Sequence, residues 1–485
     1  MRRSIVPLPI ATLVVAAAFV AASYAQAAER VGYIPYEEAR PILEALKDVL
    51  PAELRSANSQ TSSATWTNWV AQRDSEIRGR LAQGDEDSLI NFLLFGTSFT
   101  RNPRITLDAL AKMAGKAWRE APDSSPDAAA FTKAVNARVD DLVRAMSAPG
   151  TNERLLFARR VVENKGHDIK GSASRDRIRN YLLANLTRML NEQVGYARLL
   201  ESARLLGDPS AEFAERSKLY VARGLSSDTS LLPNFAIEKA LLSIKGRRLF
   251  SAGEVRRVAI VGPGLDFTDK EDGYDFYPQQ TIQPFAIIDT LLRTGLASVS
   301  GLRITTLDLS PRVNDHLRRA RERARRGEAY TIQLPRDAHS PWKPEAIDYW
   351  ARFGEQIGKP VAPVAVPPGI GNLKVRAVRV RPTAVSLITP EDVNIVLQRS
   401  NVSLANAFDL IIATNIFVYY DVFEQSLALA NVERMLRPGG LLLSNNALLE
   451  LPGLGIRSVG YETVVYSDRP DHGDHIVWYQ RDATR

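Results

Sequence analysis

The texture of the chain changes near residue 255, and that change limits the fold more than any other feature. Before it, apolar residues recur at i, i+3 and i+4 over 35–50, 66–81, 85–95, 106–119, 125–146, 152–164, 174–205 and 209–223. This spacing predicts helix after helix. Ser63 and Thr65 ahead of Trp66, and Asp123-Ser124-Ser125-Pro126, are start signals. Pro103, Pro149-Gly150, Lys165-Gly166 and Gly207-Asp208-Pro209 separate the segments. After residue 255, short β-branched runs alternate with helical ones. Strands are predicted over 258–261, 303–307, 408–413 and 441–444, with 375–388 strand-rich. Helices are predicted over 279–294, 311–326 and 424–436, and a closing hairpin over 462–467 and 475–480. Strands alternating with helices predict a parallel, doubly wound α/β sheet, to which the hairpin adds an antiparallel edge. Residues 327–372 read as Pro-rich and irregular around a short amphipathic helix at 345–357. This stretch is long enough to form a lid or a substrate platform.

Composition is that of an ordinary globular protein. The chain has 485 residues, 45% hydrophobic and 24% charged. That excludes a mostly disordered, collagen-like or polytopic membrane chain. With no cysteine, disulfides, thiolate metal sites, iron–sulfur clusters and a cysteine nucleophile are all excluded. Five histidines argue against a His-rich metal site, and no metal is expected. The net charge of +7 is mild for this length, and nucleic acid is not an expected partner.

The first 27 residues read as a leader rather than as fold. Arg2 and Arg3 form a basic start, 5–22 is uncharged and mostly apolar, and Ala25-Gln26-Ala27 has the small-x-small pattern of a cleavage site. The expectation is a signal peptide at 1–27, cleaved before Ala28, and export to the periplasm or beyond. The alternative is an uncleaved membrane anchor, since 5–22 could just span a bilayer. Pro7 and Pro9 would break the early part of such a helix. The remaining chain then divides into an all-α domain at 28–224 and an α/β domain at 225–485, with 327–372 as an insertion. Cleavage would lower the net charge from +7 to +5, because Arg2 and Arg3 leave with the leader.

Three features of the second half line up in order. Val261-Gly262-Pro263-Gly264 follows a strand directly, where glycines permit a tight turn and close approach of a ligand. Its other reading is an ordinary strand-to-helix turn. Asp308 in Leu307-Asp308-Leu309-Ser310 ends the next strand, where a carboxylate can hold a ribose diol. It could instead cap the helix that Pro311 starts, although Ser310 can do that equally well. Phe408 to Asn415 is a strand ending in Asn. It leads through Phe417, Tyr419 and Tyr420 to a helix and then to Leu436-Arg437-Pro438-Gly439-Gly440-Leu441-Leu442-Leu443.

Over about residues 225–480 these motifs resemble the class I S-adenosylmethionine (SAM) methyltransferases. Gly262-Pro263-Gly264 matches the first motif of that family, Asp308 its ribose-binding acid, and the Arg-Pro-Gly-Gly-Leu-Leu-Leu turn and strand are the most specific piece. The stretch from Phe408 to Asn446 looks most like the chemotaxis receptor methyltransferases, which also carry a helical domain ahead of the catalytic one. The resemblance implies a Rossmann-like seven-stranded sheet with a terminal antiparallel hairpin, SAM as cofactor, and an unidentified methyl acceptor, with protein among the candidates. It implies Gly262, Gly264, Asp266, Asp308, Leu309, Asp392 and Asn415 as cofactor contacts, and Asn415 and Tyr419 at the reacting centre. The acidic loop at 266–275 is longer than the family's. It could fold over the methionine part of the cofactor, with Asp266 or Asp275 accepting its ammonium, or it could equally hinder binding. In this reading Asp392 accepts the adenine amino group, and Tyr419 and Tyr420 wall the sulfonium. Packing over the sheet end is the alternative role of the two tyrosines. A Rossmann dehydrogenase fits less well, because Phe267 stands where the third glycine of GxGxxG belongs. Two other classes remain open. One is a methyltransferase-like domain that binds a ligand without catalysis. The other is an interaction protein of a bacterial-type cell envelope that works through its helical half.

Three further groups have ordinary explanations. The arginines between Arg318 and Arg326 read as a solvated helix face rather than a nucleic-acid or membrane site. Asp471-His472-Gly473-Asp474-His475 reads as hairpin-turn geometry. Trp66 and Trp69, three residues apart on a helix, read as core.

Overall fold

The computed structural model describes residues 31–55, 63–106, 109–110, 126–169, 171–205, 223–266, 274–368, 370, 372–469 and 472–483. The leader, most of the helices expected over 106–119 and 209–223, and the loop 267–273 lie outside these residues. The described chain begins with β1 (Val31–Tyr33), α1 (Tyr36–Ala45) and α2 (Ala52–Arg55). Then come α3 (Ser63–Phe95), α4 (Pro126–Ser147), α5 (Glu153–Asn164) and α6 (Ser172–Leu205). The helices expected over 66–81 and 85–95 are one continuous element, α3, of 33 residues. At 1.5 Å per residue it runs about 50 Å. Gly84 lies inside it where another part of the chain passes too close for a side chain. A Cβ on Gly84 would lie 1.9 Å from the Leu225 carbonyl oxygen.

The length of α3 lets it serve two cores. Its first turns bring Trp66, Trp69, Val70 and Ile77 into the core of the α/β half. Trp66 and Trp69 stack there at 5.2 Å between ring centroids. Its last turns, Leu89 to Phe95, close a separate core with α4, α5 and α6. Asn152 starts α5 by accepting the backbone N–H groups of Arg154 and Leu155. The helical reading of this half misses one strand, β1, which is only three residues long and pairs antiparallel with β8 (Gln398–Ser400). Its partner lies more than 360 residues away, so local patterning carries no trace of it.

The second half is α/β around a mixed seven-stranded sheet. Its strands are β2 (Arg257–Val261), β3 (Arg303–Asp308), β7 (Ile388–Asp392), β9 (Phe408–Ala413), β10 (Leu436–Ser444), β11 (Ile456–Val465) and β12 (Gly473–Arg481). The order across the sheet is β11-β12-β10-β9-β2-β3-β7. The five strands from β7 to β10 are parallel, and β12 and β11 add the expected antiparallel hairpin at one edge. Alternate residues of each inner strand face opposite cores. Val258 and Ile260 of β2 pack under α7 (Leu232–Gly246), α8 (Gln283–Arg293) and α9 (Pro311–Arg325). Ala259 and Val261 pack under α1, α3 and α12 (Val422–Met435). A strand covered on both faces has to be apolar throughout, which is why these runs read as unbroken hydrophobic segments.

The Arg-Pro-Gly-Gly turn has a structural explanation. β10 starts at Leu436, earlier than expected, and its register with β9 shifts between Leu436 and Leu441. Within the shift, Arg437 Nε donates to Asp409 Oδ1 at 2.6 Å, and the other Asp409 oxygen accepts the N–H groups of Arg256 and Arg257. A Cβ on Gly440 would meet the Arg437 carbonyl oxygen at 2.9 Å. The turn therefore ties β9, β10 and the entry to β2 together.

Residues 327–372 are not irregular. β4 (Tyr330–Asp337) and β5 (Gly358–Val361) flank β6 (Leu373–Val380) in a separate three-stranded antiparallel sheet, with α10 (Pro344–Arg352) between β4 and β5 and α11 (Pro382–Val385) after β6. Ile332 and Leu334 of β4 join the main core beside Val378 and Phe353. Pro335 within β4 and the distance to its partner β6 hide this strand from local patterning.

Candidate active site

A cavity of about 440 Å³ opens at the carboxyl ends of β2, β3 and β9. From β2 the chain leads to β3 and β7 on one side, and β9 and β10 lie on the other. Open α/β sheets bind ligands at such a reversal. Gly262 and Gly264 form the turn after β2, with φ of 61° and 64°. Residues other than glycine rarely adopt this conformation. Gly262 donates its N–H to the Leu307 carbonyl at 2.8 Å. Gly264 has backbone against it: a Cβ there would lie 2.9 Å from the Ser227 carbonyl oxygen.

Asp308 ends β3 at the cavity wall and is only 7% exposed. Its Oδ1 accepts the Ser310 N–H at 2.7 Å, and the Gly264 N–H also donates to its carboxylate. Burial outweighs these donors and pushes the carboxyl up to about 7. Asp308 does not cap α9. Pro311 occupies the first turn of that helix, and Ser310 stands at its cap without a side-chain bond. Leu309 lines the cavity beside it.

Asn415 follows β9 with φ of 59°, a left-handed backbone that Asn tolerates better than most residues. It is held in place from outside the cavity. Its N–H donates to Asn445 Oδ1 at 2.8 Å, and its Oδ1 accepts from Asn445 Nδ2. Tyr419 and Tyr420 come next, and both line the cavity. Burial raises both hydroxyls above the usual phenol range. Arg80 of α3 fixes this segment. It donates to the Tyr419 carbonyl at 2.9 Å, and its guanidinium lies 5.8 Å from the Tyr420 ring centroid.

The structure thus brings Gly262, Gly264, Asp266, Asp308, Leu309, Asn415 and Tyr419 to one cavity. Asp266 is buried, and its Oδ2 accepts from the Tyr277 hydroxyl at 2.9 Å and Gln280 Nε2 at 2.8 Å. Two expected carboxylates are employed elsewhere. Asp275 accepts the N–H and hydroxyl groups of both Thr97 and Ser98, which joins the α/β half to the turn after α3. Asp392, at the end of β7, ion-pairs with Arg78 at 2.7 Å, and its side chain is 45% exposed. Val393 and Ile395, just beyond Asp392, line the cavity in its stead.

The opposite wall comes from elements without a motif. Gln333, Leu334 and Pro335 of β4 line it, as do Trp342, Tyr466 and His472. Gln333 donates its N–H to Gln280 Oε1 at 2.8 Å, which links β4 to the Asp266 cluster. The Tyr466 hydroxyl donates to Asp474, and its ring meets His472 edge-on at 5.4 Å. His472 Nδ1 lies 2.9 Å from Ser467 Oγ. Asp228, in the segment that enters α7, also reaches the cavity; its Oδ2 accepts from Ser88 of α3. Gln333, Leu334, Pro335 and Trp342 fall in the stretch 327–372 that the sequence offers as a lid or substrate platform, and Tyr466 and His472 belong to the expected closing hairpin and its turn, but no single one of these residues stands out in the sequence as a site residue. Among the described residues no cluster of His, Asp and Glu could hold a metal ion, and no helix is long and apolar enough to cross a membrane.

No protein-family model matches the chain, and no curated protein sequence is similar to it. Solved structures with partial likeness include the N-methyltransferase NodS of Bradyrhizobium japonicum. It is 14% identical over 51% of this chain and 97% of its own, with a TM-score of 0.25. The magnesium protoporphyrin IX methyltransferase of Synechocystis PCC 6803, solved with bound SAM, is 10% identical over 61% of this chain and 96% of its own, with a TM-score of 0.24. The CurJ carbon methyltransferase is 11% identical over 92% of this chain and 99% of its own, with a TM-score of 0.23. At such scores the fold rests on the observed strand order, not on these neighbours.

Proposed function

We propose that the chain is a SAM-dependent methyltransferase whose cofactor lies in the cavity at the carboxyl ends of β2, β3 and β9. One observation carries this reading: three separated segments deliver a glycine turn, a buried acid and a left-handed Asn to the same cavity. The left-handed turn at Gly262 and Gly264 carries the backbone along the wall where the cofactor would lie. Asp308 accepts the ribose hydroxyls. Asn415 and Tyr419 stand where the reacting methyl group would lie, and aromatic rings suit a sulfonium cation. Methyl transfer is an in-line displacement, so positioning is the enzyme's main contribution. The chemotaxis-receptor likeness of 408–446 belongs to this proposal, with protein among the candidate acceptors, as does a helical recognition domain built on α4, α5 and α6.

Calorimetric titration of the full chain with SAM and S-adenosylhomocysteine tests the reading. Binding at about micromolar Kd is expected. No heat up to about millimolar ligand, with the protein shown to be folded, would overturn it. Export belongs to the proposal too. Mass spectrometry of the protein from envelope fractions should find Ala28 as the first residue, and an intact Met1 would favour the anchored form.

A further inference from the structure

We propose that the chain binds a phosphoryl group, as inorganic phosphate or a small phosphate monoester, in a second cavity at the amino ends of β2 and β3. This cavity, of about 390 Å³, shares no lining residue with the one at the carboxyl ends, and the proposal does not depend on the cofactor reading. Arg257 is the first residue of β2 and Arg303 the first of β3, and both line the cavity. They are also register partners across the parallel pair. Neighbouring strands lie about 4.8 Å apart, so the two side chains leave the same face of the sheet side by side. Like charges placed opposite one another in a sheet destabilise it. Among the described residues neither guanidinium forms an ion pair that would offset this. Arg257 Nη2 donates to Asn406 Oδ1 at 3.2 Å, and Arg303 Nη1 to the Leu302 carbonyl at 2.7 Å. The Asp409 carboxylate meets Arg257 at its backbone N–H and gives its other oxygen to Arg437.

Glu391 of β7 lines the cavity as well. It stands opposite Leu307, which lies about 13 Å of strand beyond Arg303. There it accepts the Ser400 hydroxyl at 2.6 Å. The cavity is therefore polarised, with the paired arginines at one end and a hydrogen-bonded carboxylate towards the other.

Neutral donors complete the lining. Thr305 follows Arg303 on the same face of β3, and Ser403 lines the cavity beside Asn406, whose Nδ2 donates to the Ser403 oxygen at 3.3 Å. A hydroxyl that accepts in this way keeps its own hydrogen for a ligand. A phosphoryl dianion answers this arrangement. Its oxygens match the fork of each guanidinium, and its charge offsets both arginines at once. A lone carboxylate brings one charge and is satisfied by one fork, which leaves the second arginine beside the first without an anion.

The test is calorimetry on the full chain with inorganic phosphate and with glycerol 3-phosphate as probes, in about 150 mM chloride to screen loose surface pairing. At least one probe is expected to bind at a single site with Kd below about 1 mM. The tighter of the two tells whether the free ion or a monoester is the better fit. Arg257→Gln and Arg303→Gln should each weaken that binding at least about tenfold. Arg303 is exposed at the start of its strand, so its variant should fold. Phosphate should also raise the Tm of the native chain and leave that of Arg303→Gln unmoved. No binding of either probe to the folded native chain up to about 10 mM, or binding that both variants retain in full, would overturn the proposal. Either result leaves the methyltransferase reading to its own titration.

Discussion

The Asp308 carboxylate at the end of β3 accepts the backbone N–H of Gly264 in the turn after β2. The acid read as the ribose contact is therefore also a brace for the glycine turn, and the two functions share one buried group. Its carboxyl titrates at about 7 because burial outweighs the Ser310 and Gly264 donors. That is above the unfolded value of about 3.9, so the native state binds the extra proton between these limits. The contribution of this group to stability is complete below about pH 4 and is lost as the pH rises through about 7. Ligand binding has the opposite sign. Ribose hydroxyls donate to the ionised form, so S-adenosylhomocysteine affinity should weaken as the pH falls below 7, by up to about tenfold per pH unit. Titrations between pH 5 and 8 check this. A flat profile for the native chain would remove Asp308 from the cofactor contacts, and Asp308→Asn should flatten it.

Gly264→Ala is expected to cost about 1–3 kcal/mol of stability and to weaken cofactor binding. The backbone is left-handed there, with φ of 64°, and the new methyl would press on the Ser227 carbonyl oxygen at 2.9 Å. Gly262→Ala has the same backbone penalty, but its nearest neighbour is the end of the Ile416 side chain, which can rotate away. The Gly264 variant should be the more damaged of the two. Urea denaturation with parallel S-adenosylhomocysteine titrations would show the ranking, and the reverse order would contradict the geometry.

The parts of the site that the sequence reveals are those whose residues are contiguous with a strand end. Gly262, Gly264, Asp308 and Asn415 each sit within a few residues of an apolar run, and the turn after a parallel strand is where ligands approach. The opposite wall falls in the stretch 327–372, legible as a lid or platform, and in the expected hairpin, but which of its residues face the cavity is hidden because they reach it through pairings distant in sequence. Gln333 depends on β4 pairing with β6, and Tyr466 on the β11–β12 hairpin folding back towards Trp342. Asp392 shows the converse failure. Its position at the end of β7 is as expected, but Arg78 of α3, 314 residues earlier, takes its carboxylate. No local pattern records that contact.

Gly84 and Gly224 meet backbone to backbone where α3 passes the segment leading to α7. A Cβ on Gly224 would lie 2.2 Å from the Gly84 nitrogen. The contact seats Leu225 and Leu81 at the cavity wall. Gly224→Ala should therefore lower stability by about 1–3 kcal/mol, since rigid backbone on both sides cannot yield as a side chain would. It should also weaken S-adenosylhomocysteine binding, although residue 224 itself does not line the cavity. Loss of stability without any change in affinity would show that the helical half and the cavity are mechanically independent.

Asp392→Asn separates the two roles that the strand end could have. If its carboxylate held the adenine amino group, the substitution would cost roughly 1–2 kcal/mol of cofactor affinity. The structure pairs it instead with Arg78, across from Asp74 and Gln398, with much of the side chain in water. Exposed ion pairs of this kind contribute about 0–1 kcal/mol. The expected outcome is an unchanged S-adenosylhomocysteine affinity and a small loss of stability that shrinks further in high salt. Arg78→Gln should cost more, because it also leaves the buried Asp74 carboxylate without its cation. An affinity loss for Asp392→Asn with stability preserved would return the residue to the cofactor site.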